Sequence, residues 1–292
     1  MQELDAGPRG GRVVVVTGVS SGLGAAIARR LRTDGFVVVG TVRTAEDARR
    51  AAGRGVEPVV ADVTDPSAVA ALAAELDRRW PRERVAGLVN NAGVGLVGPL
   101  EHLETDELRH LFEVNVFGVH RVTRALLPRL RAARGRIVNV SSVAGLVTMP
   151  FLAAYAASKH ALESLSDGWR RELLPFGVRV VVIEPEALRS RIWDKMRAAA
   201  EGRFERSVYA PWFRAFARRA ERAERRALGP EPVAEAVSRA MLAPDPPLRI
   251  LVAPRTGLGV RLMQWAPARL LDERIARALG GPVRASHERG ST

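Results

Sequence analysis

Two residues stand out for what they could do together: Tyr155 and Lys159, in the stretch AAYAASKHAL at 153–162. The chain has only two tyrosines, and 43 of its 45 basic residues are arginine. A lysine four positions after a tyrosine is therefore a marked choice. Residues i and i+4 of a helix share one face. A free phenol titrates near about 10 and is a poor acid or base at neutral pH. An ammonium beside it favours the phenolate and is expected to lower that value. A guanidinium is a wide planar fork, whereas an ammonium on a flexible stem can serve the tyrosine and a second hydroxyl together. The pair reads as an acid/base unit.

A second stretch, TGVSSGLG at 17–24, joins an apolar run to a helical pattern. Gly18, Gly22 and Gly24 let the backbone turn tightly and approach a ligand, with Ser20, Ser21 and Leu23 between them. The first N–H groups of the helix that follows would face a pyrophosphate. The spacing is looser than G-x-G-x-x-G, and a plain glycine-rich turn is the alternative. Its place after the first strand favours a dinucleotide. At the end of the second strand the chain reads GTVRT (40–44), with Val42 where an acid would hold ribose hydroxyls and no carboxylate before Glu46. Arg43 would instead accept a 2′-phosphate, so NADP(H) is favoured over NAD(H). The other reading of Arg43 is an ordinary surface arginine.

These residues need a frame. Apolar runs at 12–17, 36–42, 56–61, 87–90, 135–141, 177–185 and 249–253 alternate with helical patterns. The helices include 22–35, a run from Asp65-Pro66 to about Trp80, one long helix over about 105–131, and 152–174. Strands apolar throughout are buried on both faces, and interleaved helices imply a parallel sheet. The expected fold is α/β: a doubly wound Rossmann-type sheet of about seven strands with helices on both faces. It is expected to form a single domain over 1–292, with its core at about 12–255. Residues 186–228 read as a helical insertion, either extra core cover or a lid. Trp212, Phe216, Ala220, Ala223 and Ala227 would share one face of a helix there. About 256–292 reads as a C-terminal helical extension.

Taken together, TGVSSGLG, Asp62-Val63, NNAG (90–93), Asn115, NVSS (139–142), YAASK (155–159) and the Pro185 loop resemble the short-chain dehydrogenase/reductase family over about 12–255. The resemblance implies that Ser142 holds the substrate oxygen and that Asn115 completes a proton relay to Lys159. It implies that Asp62 and Val63 meet adenine, and that Asn90, Ala92 and Gly93 line the ribose and nicotinamide. Tyr155 and Lys159 would also touch the cofactor, and Pro185, the Leu188 backbone and Ser190 would meet the carboxamide. The reaction implied is hydride transfer between nicotinamide and a secondary alcohol or ketone, with Tyr155 exchanging the proton. One departure stands out: the family usually writes Pro-Gly where this chain has Pro185-Glu186, which narrows the backbone and adds a carboxylate. Retinol- and steroid-type members are the nearest in feel, and Trp193, Phe204, Trp212, Phe213 and Phe216 suit a lipophilic substrate. A catalytically silent nucleotide-binding scaffold of the same fold is the alternative. The family usually associates through its two long helices, so a homodimer or homotetramer is expected.

Composition narrows the classes. With no cysteine there is no disulfide or thiolate chemistry. The five histidines have no ligand spacing, so no metal is expected. The net charge of +13 comes from arginines interleaved with acids, which argues against nucleic acid as a partner. No apolar run reaches the ~18 residues of a membrane span, and the polar N-terminus shows no secretory signal, so a cytoplasmic protein is expected. Basic amphipathic segments at 212–228 and 258–279 leave peripheral membrane contact open.

Overall fold

Valine-rich segments supply the strands: β1 (Val13–Val16), β2 (Val37–Val42), β3 (Glu57–Val60), β4 (Val85–Asn90), β5 (Arg136–Val140), β6 (Arg179–Pro185) and β7 (Arg249–Val252). The computed structural model describes residues 11–280 except 187, 189–190 and 254–257. All seven strands pair in parallel in the order β3-β2-β1-β4-β5-β6-β7. The chain winds outward from β1 to β3, then returns to the other side of β1 at β4. The strand order therefore reverses between β1 and β4, and the crevice at their C-terminal ends is where such sheets hold ligands.

Helices cover both faces. On one side lie α1 (Gly22–Thr33), α2 (Ala45–Ala52) and α9 (Glu231–Leu242). On the other lie α3 (Pro66–Arg79), α5 (Val119–Ala132) and the C-terminal part of α6 (Ala153–Leu173). Central strands sealed on both faces explain why β1 is wholly buried and reads as an unbroken valine run. Asp65 caps α3, accepting from the Ser67 N–H at 2.8 Å, with Pro66 at the first helical position.

The single helix expected over 105–131 is instead two. After α4 (Thr105–Phe112), residues Glu113–Gly118 form a π-helical turn before α5 begins. The wider turn carries Asn115 inward, where it is buried. Residues past β6 form α7 (Arg191–Ala200) and α8 (Ala210–Arg225), and past β7 come α10 (Leu258–Trp265) and α11 (Ala268–Ala278). A third apolar cluster joins α7, α8 and the end of α11 through Met196, Phe204, Phe216 and Leu279. Within α8, Phe213, Phe216 and Ala220 face that cluster, whereas Trp212 and Ala223 are exposed. The apolar face predicted from the sequence is thus turned by about one residue.

A polar chain crosses the core below the crevice. Asn90 Nδ2 donates to Thr123 Oγ1 (3.1 Å) and to Asn139 Oδ1 (2.8 Å), and Asn139 Nδ2 donates to Ser166 Oγ (2.8 Å). It ties β4 and β5 to α5 and α6. Truncating Asn139 to alanine would leave Asn90 and Ser166 buried with fewer partners, and each orphaned group costs about 1–3 kcal/mol. Asn139→Ala should therefore lower unfolding stability by about 2–4 kcal/mol in urea titration. A loss under about 1 kcal/mol would show that the chain is not cooperative.

Candidate active site

Where β1 and β4 end, two loops are sewn together. The Thr17 hydroxyl accepts from the Asn91 and Ala92 N–H groups, both at 3.0 Å. Asn91 Nδ2 donates back to the carbonyls of Thr17 (2.9 Å) and Gly18 (3.2 Å). From β2, the Thr41 carbonyl accepts from the N–H groups of Gly18 and Val19, at 3.1 Å each, and the Thr41 hydroxyl from Gly18 as well. None of Thr17, Thr41 or Asn91 is in the predicted set. The signal for Asn91 is the doubled asparagine in NNAG: one member, Asn90, serves the core, so the other is free for the loop.

The three glycines have different reasons. Gly18 has φ +74°, and any side chain there would press on Ala92. A Cβ on Gly24 would lie 2.0 Å from the Gly18 carbonyl oxygen, so the loop closes on the helix only with hydrogen at that place. Gly22, φ +55°, has open space where a Cβ would be. Ser21 is the N-cap of α1, and its side chain makes no capping bond. The first N–H groups of α1 thus lie behind a glycine-lined opening, free to take an anion. That cradle fits a dinucleotide pyrophosphate.

Around the cradle, Ser20 and Ser21 are half-buried and Leu23 packs on the core. Arg43 is exposed at the end of β2. A second guanidinium, Arg54, reaches to 3.5 Å from the Ser20 carbonyl, so two arginines flank this edge. The Asp62 carboxylate accepts from the Thr64 N–H and hydroxyl at 2.9 and 2.8 Å, which shapes the turn after β3. Val63 and Asn90 bury their side chains in the core, leaving only their backbone to line the crevice.

Asn115 is clamped to the loop after β4. Its Oδ1 accepts from the Val94 N–H and its Nδ2 donates to the Val94 carbonyl, both at 2.9 Å, with a further bond to Ser158 Oγ at 3.1 Å. Gly93 passes directly over it: a Cβ there would lie 3.3 Å from Asn115 Oδ1 and 4.0 Å from Lys159 Nζ. The structure thus brings Asn115, Gly93 and Lys159 together.

Helix α6 supplies Tyr155 and Lys159, and the loop after β5 supplies Ser142. Ser142 Oγ accepts from the Ala144 N–H at 3.1 Å and lies 3.5 Å from the Pro185 carbonyl. Burial pushes the Tyr155 phenol up to about 12, with its bond to Ser142 pulling the other way. Lys159 is buried, donates to the Val140 carbonyl at 2.9 Å, and lies over the Tyr155 ring, 5.8 Å from its centre. Burial brings its ammonium down to about 8, against the Glu163 carboxylate, which raises it. The expected lowering of the phenol by the ammonium is not what this geometry gives. Nζ faces the ring and a backbone carbonyl, and desolvation of the phenolate dominates.

Pro185 and Leu188 are buried, and Leu188 bridges to Leu228; Ser190 lies outside the described residues. Glu186 is exposed and its N–H donates to the Val252 carbonyl at 2.9 Å. Its φ is not positive, so no glycine is needed there and the expected backbone restriction does not arise. Among the described residues no group of three or more acids and histidines could hold a metal.

Residues 12–201 match the model of the short chain dehydrogenase family. The chain is 36% identical over 270 residues to an NADPH-dependent 3-dehydrocapnine reductase of Ornithobacterium rhinotracheale, covering 90% of this chain and 95% of that one. It is 33% identical over 287 residues to mouse (Mus musculus) retinol dehydrogenase 5, covering 93% and 88%. A Burkholderia cenocepacia short chain dehydrogenase solved with NADP superposes with a TM-score of 0.71 at 27% identity, covering 91% and 98%. Because Asn91 ties both loops of the cradle, Asn91→Ala should weaken NADPH binding at least about tenfold by fluorescence titration, the loss of two or more hydrogen bonds. Unchanged binding would remove Asn91 from the site.

Proposed function

Because the chain belongs to the short-chain dehydrogenase/reductase family and is an oxidoreductase acting on CH–OH groups, we propose that it is an NADP(H)-dependent ketoreductase for lipophilic substrates. The observation that carries this reading is the Ser142–Tyr155–Lys159 set, Lys159 buried and the other two half-buried, with a phenol that stays protonated through neutral pH. A protonated donor beside Ser142 suits carbonyl reduction.

The cofactor would lie with its pyrophosphate on the α1 N-terminus, its 2′-phosphate between Arg43 and Arg54, and its nicotinamide end near Gly93 and Pro185. When bound, it supplies the hydride. Everything else falls to this chain. Ser142 donates a hydrogen bond to the substrate carbonyl oxygen and holds it beside the Tyr155 hydroxyl. Tyr155 Oη gives its proton to that oxygen as charge develops there. Lys159, over the ring, would offset the charge of the phenolate left behind, and Asn115 holds the Val94 peptide beside it. Preference for the phosphorylated cofactor is supported by the two arginines and by the absence of an acid at the end of β2.

Substrate class is supported by the cavity between α7 and α8, about 510 Å³, whose apolar walls include Val97, Trp193, Met196, Phe204, Phe213 and Phe216 beside the charged Arg197–Glu224 pair. Trp212 is not among its walls. The segment 93–97 leads from Lys159 at Gly93 to the cavity at Val97, with Gly95 against Met196 and Ile192. Such walls suit a hydrocarbon chain more than a sugar or an acid. The insertion is thus read as a lid rather than as core cover. Association through α4–α6, to a dimer or tetramer, and a single domain over the whole chain complete the proposal.

The test is NADPH and NADH oxidation against ketones of increasing chain length. Turnover should favour NADPH and the longer chains. Tyr155→Phe should lower kcat by about 10³-fold while NADPH still binds. Full activity in that variant, or none on any ketone in the parent, would sink the mechanism. The pH profile has a definite sign: the ammonium exists below its titration point and is lost above it. Reduction should be level through neutrality and fall as pH rises through about 8, where Lys159 loses its charge. A rate that rises across that range would contradict the assignment.

A further inference from the structure

Helix α8 has two faces, and only the inner one is explained by the cavity. On the outer face Trp212, Arg218 and Arg222 are exposed and look across a groove to Ala278 and Gly280 at the end of α11. The C-terminal helices carry exposed apolar side chains as well. Leu262 and Trp265 are three apart on α10 and so share a side; they are 62% and 89% exposed. Val208, just before α8, is 86% exposed, and Leu270 on α11 is also exposed. Ile275 and Leu279 anchor α11 in the same apolar cluster as Phe216, so α8 and α11 form one lobe, and α10 is joined to α11 through Ala266 and Pro267.

The charge of that lobe is one-sided. Residues 210–226 and 258–280 carry ten arginines against four acids. Among the described residues Arg214, Arg218, Arg219, Arg222, Arg225 and Arg226 form no ion pair, whereas on other helices Arg50, Arg109 and Arg197 are paired with acids one turn away. Exposed indole and leucine beside unpaired guanidinium groups is the composition of a surface that sits in a lipid headgroup region, apolar tips inward and cations toward phosphate. A second copy of this chain would bring like charge against like charge. We infer that the α8–α10–α11 lobe docks on an anionic lipid bilayer.

The inference stands apart from the ketoreductase reading, since it is read by binding without turnover. Should it hold with that reading, the membrane face and the cavity are opposite sides of one helix, a short path for a substrate drawn from lipid.

The test uses the whole chain and vesicles of phosphatidylcholine alone or with about 30% phosphatidylglycerol, pelleted at about 50 and about 500 mM salt. Binding is expected to the mixed vesicles at low salt, at least about fivefold weaker at high salt and on phosphatidylcholine. A Leu262→Ser/Trp265→Ser double variant and an Arg218→Gln/Arg222→Gln double variant should each weaken it about fivefold or more, with NADPH binding retained as proof of folding. No pelleting, or pelleting indifferent to both variants, overturns the inference. So does a Leu262→Ser/Trp265→Ser protein that changes from oligomer to monomer while the parent ignores vesicles, since the face would then be an interface between copies.

Discussion

Everything at the cofactor end depends on how closely the ends of β1 and β4 approach. Parallel strands wound outward in both directions leave a gap between these two, because no crossover helix covers it. The gap becomes a site only if two loops, each with unpaired backbone groups, satisfy each other. Thr17 and Asn91 do this with four hydrogen bonds, and the chains come so near that Gly18 has room for no side chain against Ala92. Gly24 then tucks α1 under the Gly18 carbonyl. The glycines do not make the loop flexible. They let it be tight, and tightness aims the α1 N–H groups at one point.

At the other end of the site the constraint is electrostatic. Lys159 and Glu163 lie one turn apart on α6, both buried, and Glu184 is buried on β6 beside them. Arg249 Nε lies 3.2 Å from Glu163 and 3.3 Å from Glu184, and its Nη2 lies 3.0 Å from Asp167. Buried charge is costly unless it is matched, and removing one partner is costlier still. Three acids thus surround one arginine, and the lysine supplies part of the balance. This offsets the desolvation that would otherwise drive Lys159 further toward the neutral amine, and it links α6 to the last two strands.

The five inner strands were legible in the sequence because double burial makes each a continuous apolar run, while the edge strands β3 and β7, half-buried, were read from their short apolar stretches between helical patterns. The Tyr155–Lys159 pair was legible because i,i+4 spacing fixes a shared face. What the sequence hid were features set by tertiary packing. A π turn inside the run at 105–131 leaves no pattern, since Glu113 to Gly118 could equally continue an α-helix; it exists because Asn115 must reach both sides of the Val94 peptide. Asn91 and Asn90 are identical letters whose roles diverge by strand alternation, one to the loop and one to the core. The direction of the Tyr155 shift was hidden too, because desolvation depends on neighbours far apart in sequence.

Phe151 shows how the insertion after β6 and the start of α6 are joined. It lies just before α6 with φ +67°, a region disfavoured for a non-glycine residue by roughly 1–2 kcal/mol. Such a conformation persists only if its surroundings hold it. Here the Phe151 carbonyl accepts from the Gly98 N–H at 2.9 Å, and its ring meets Phe213 and Phe216 of α8 with centres 5.4 and 5.6 Å apart. Four residues later comes Tyr155. The ring therefore fixes the start of the helix that carries the phenol against the helix that walls the cavity. The aromatic packing of α8 and the placement of Tyr155 are one mechanical unit: under the proposed function, a substrate chain among Phe204, Phe213 and Phe216 would press on the residue that sets the entry of α6. Packing in a protein interior is dense enough to transmit such a push. A well-fitting apolar chain would then contribute to alignment at the reacting carbonyl as well as to affinity, since binding energy from remote groups can be used for orientation where the bond changes.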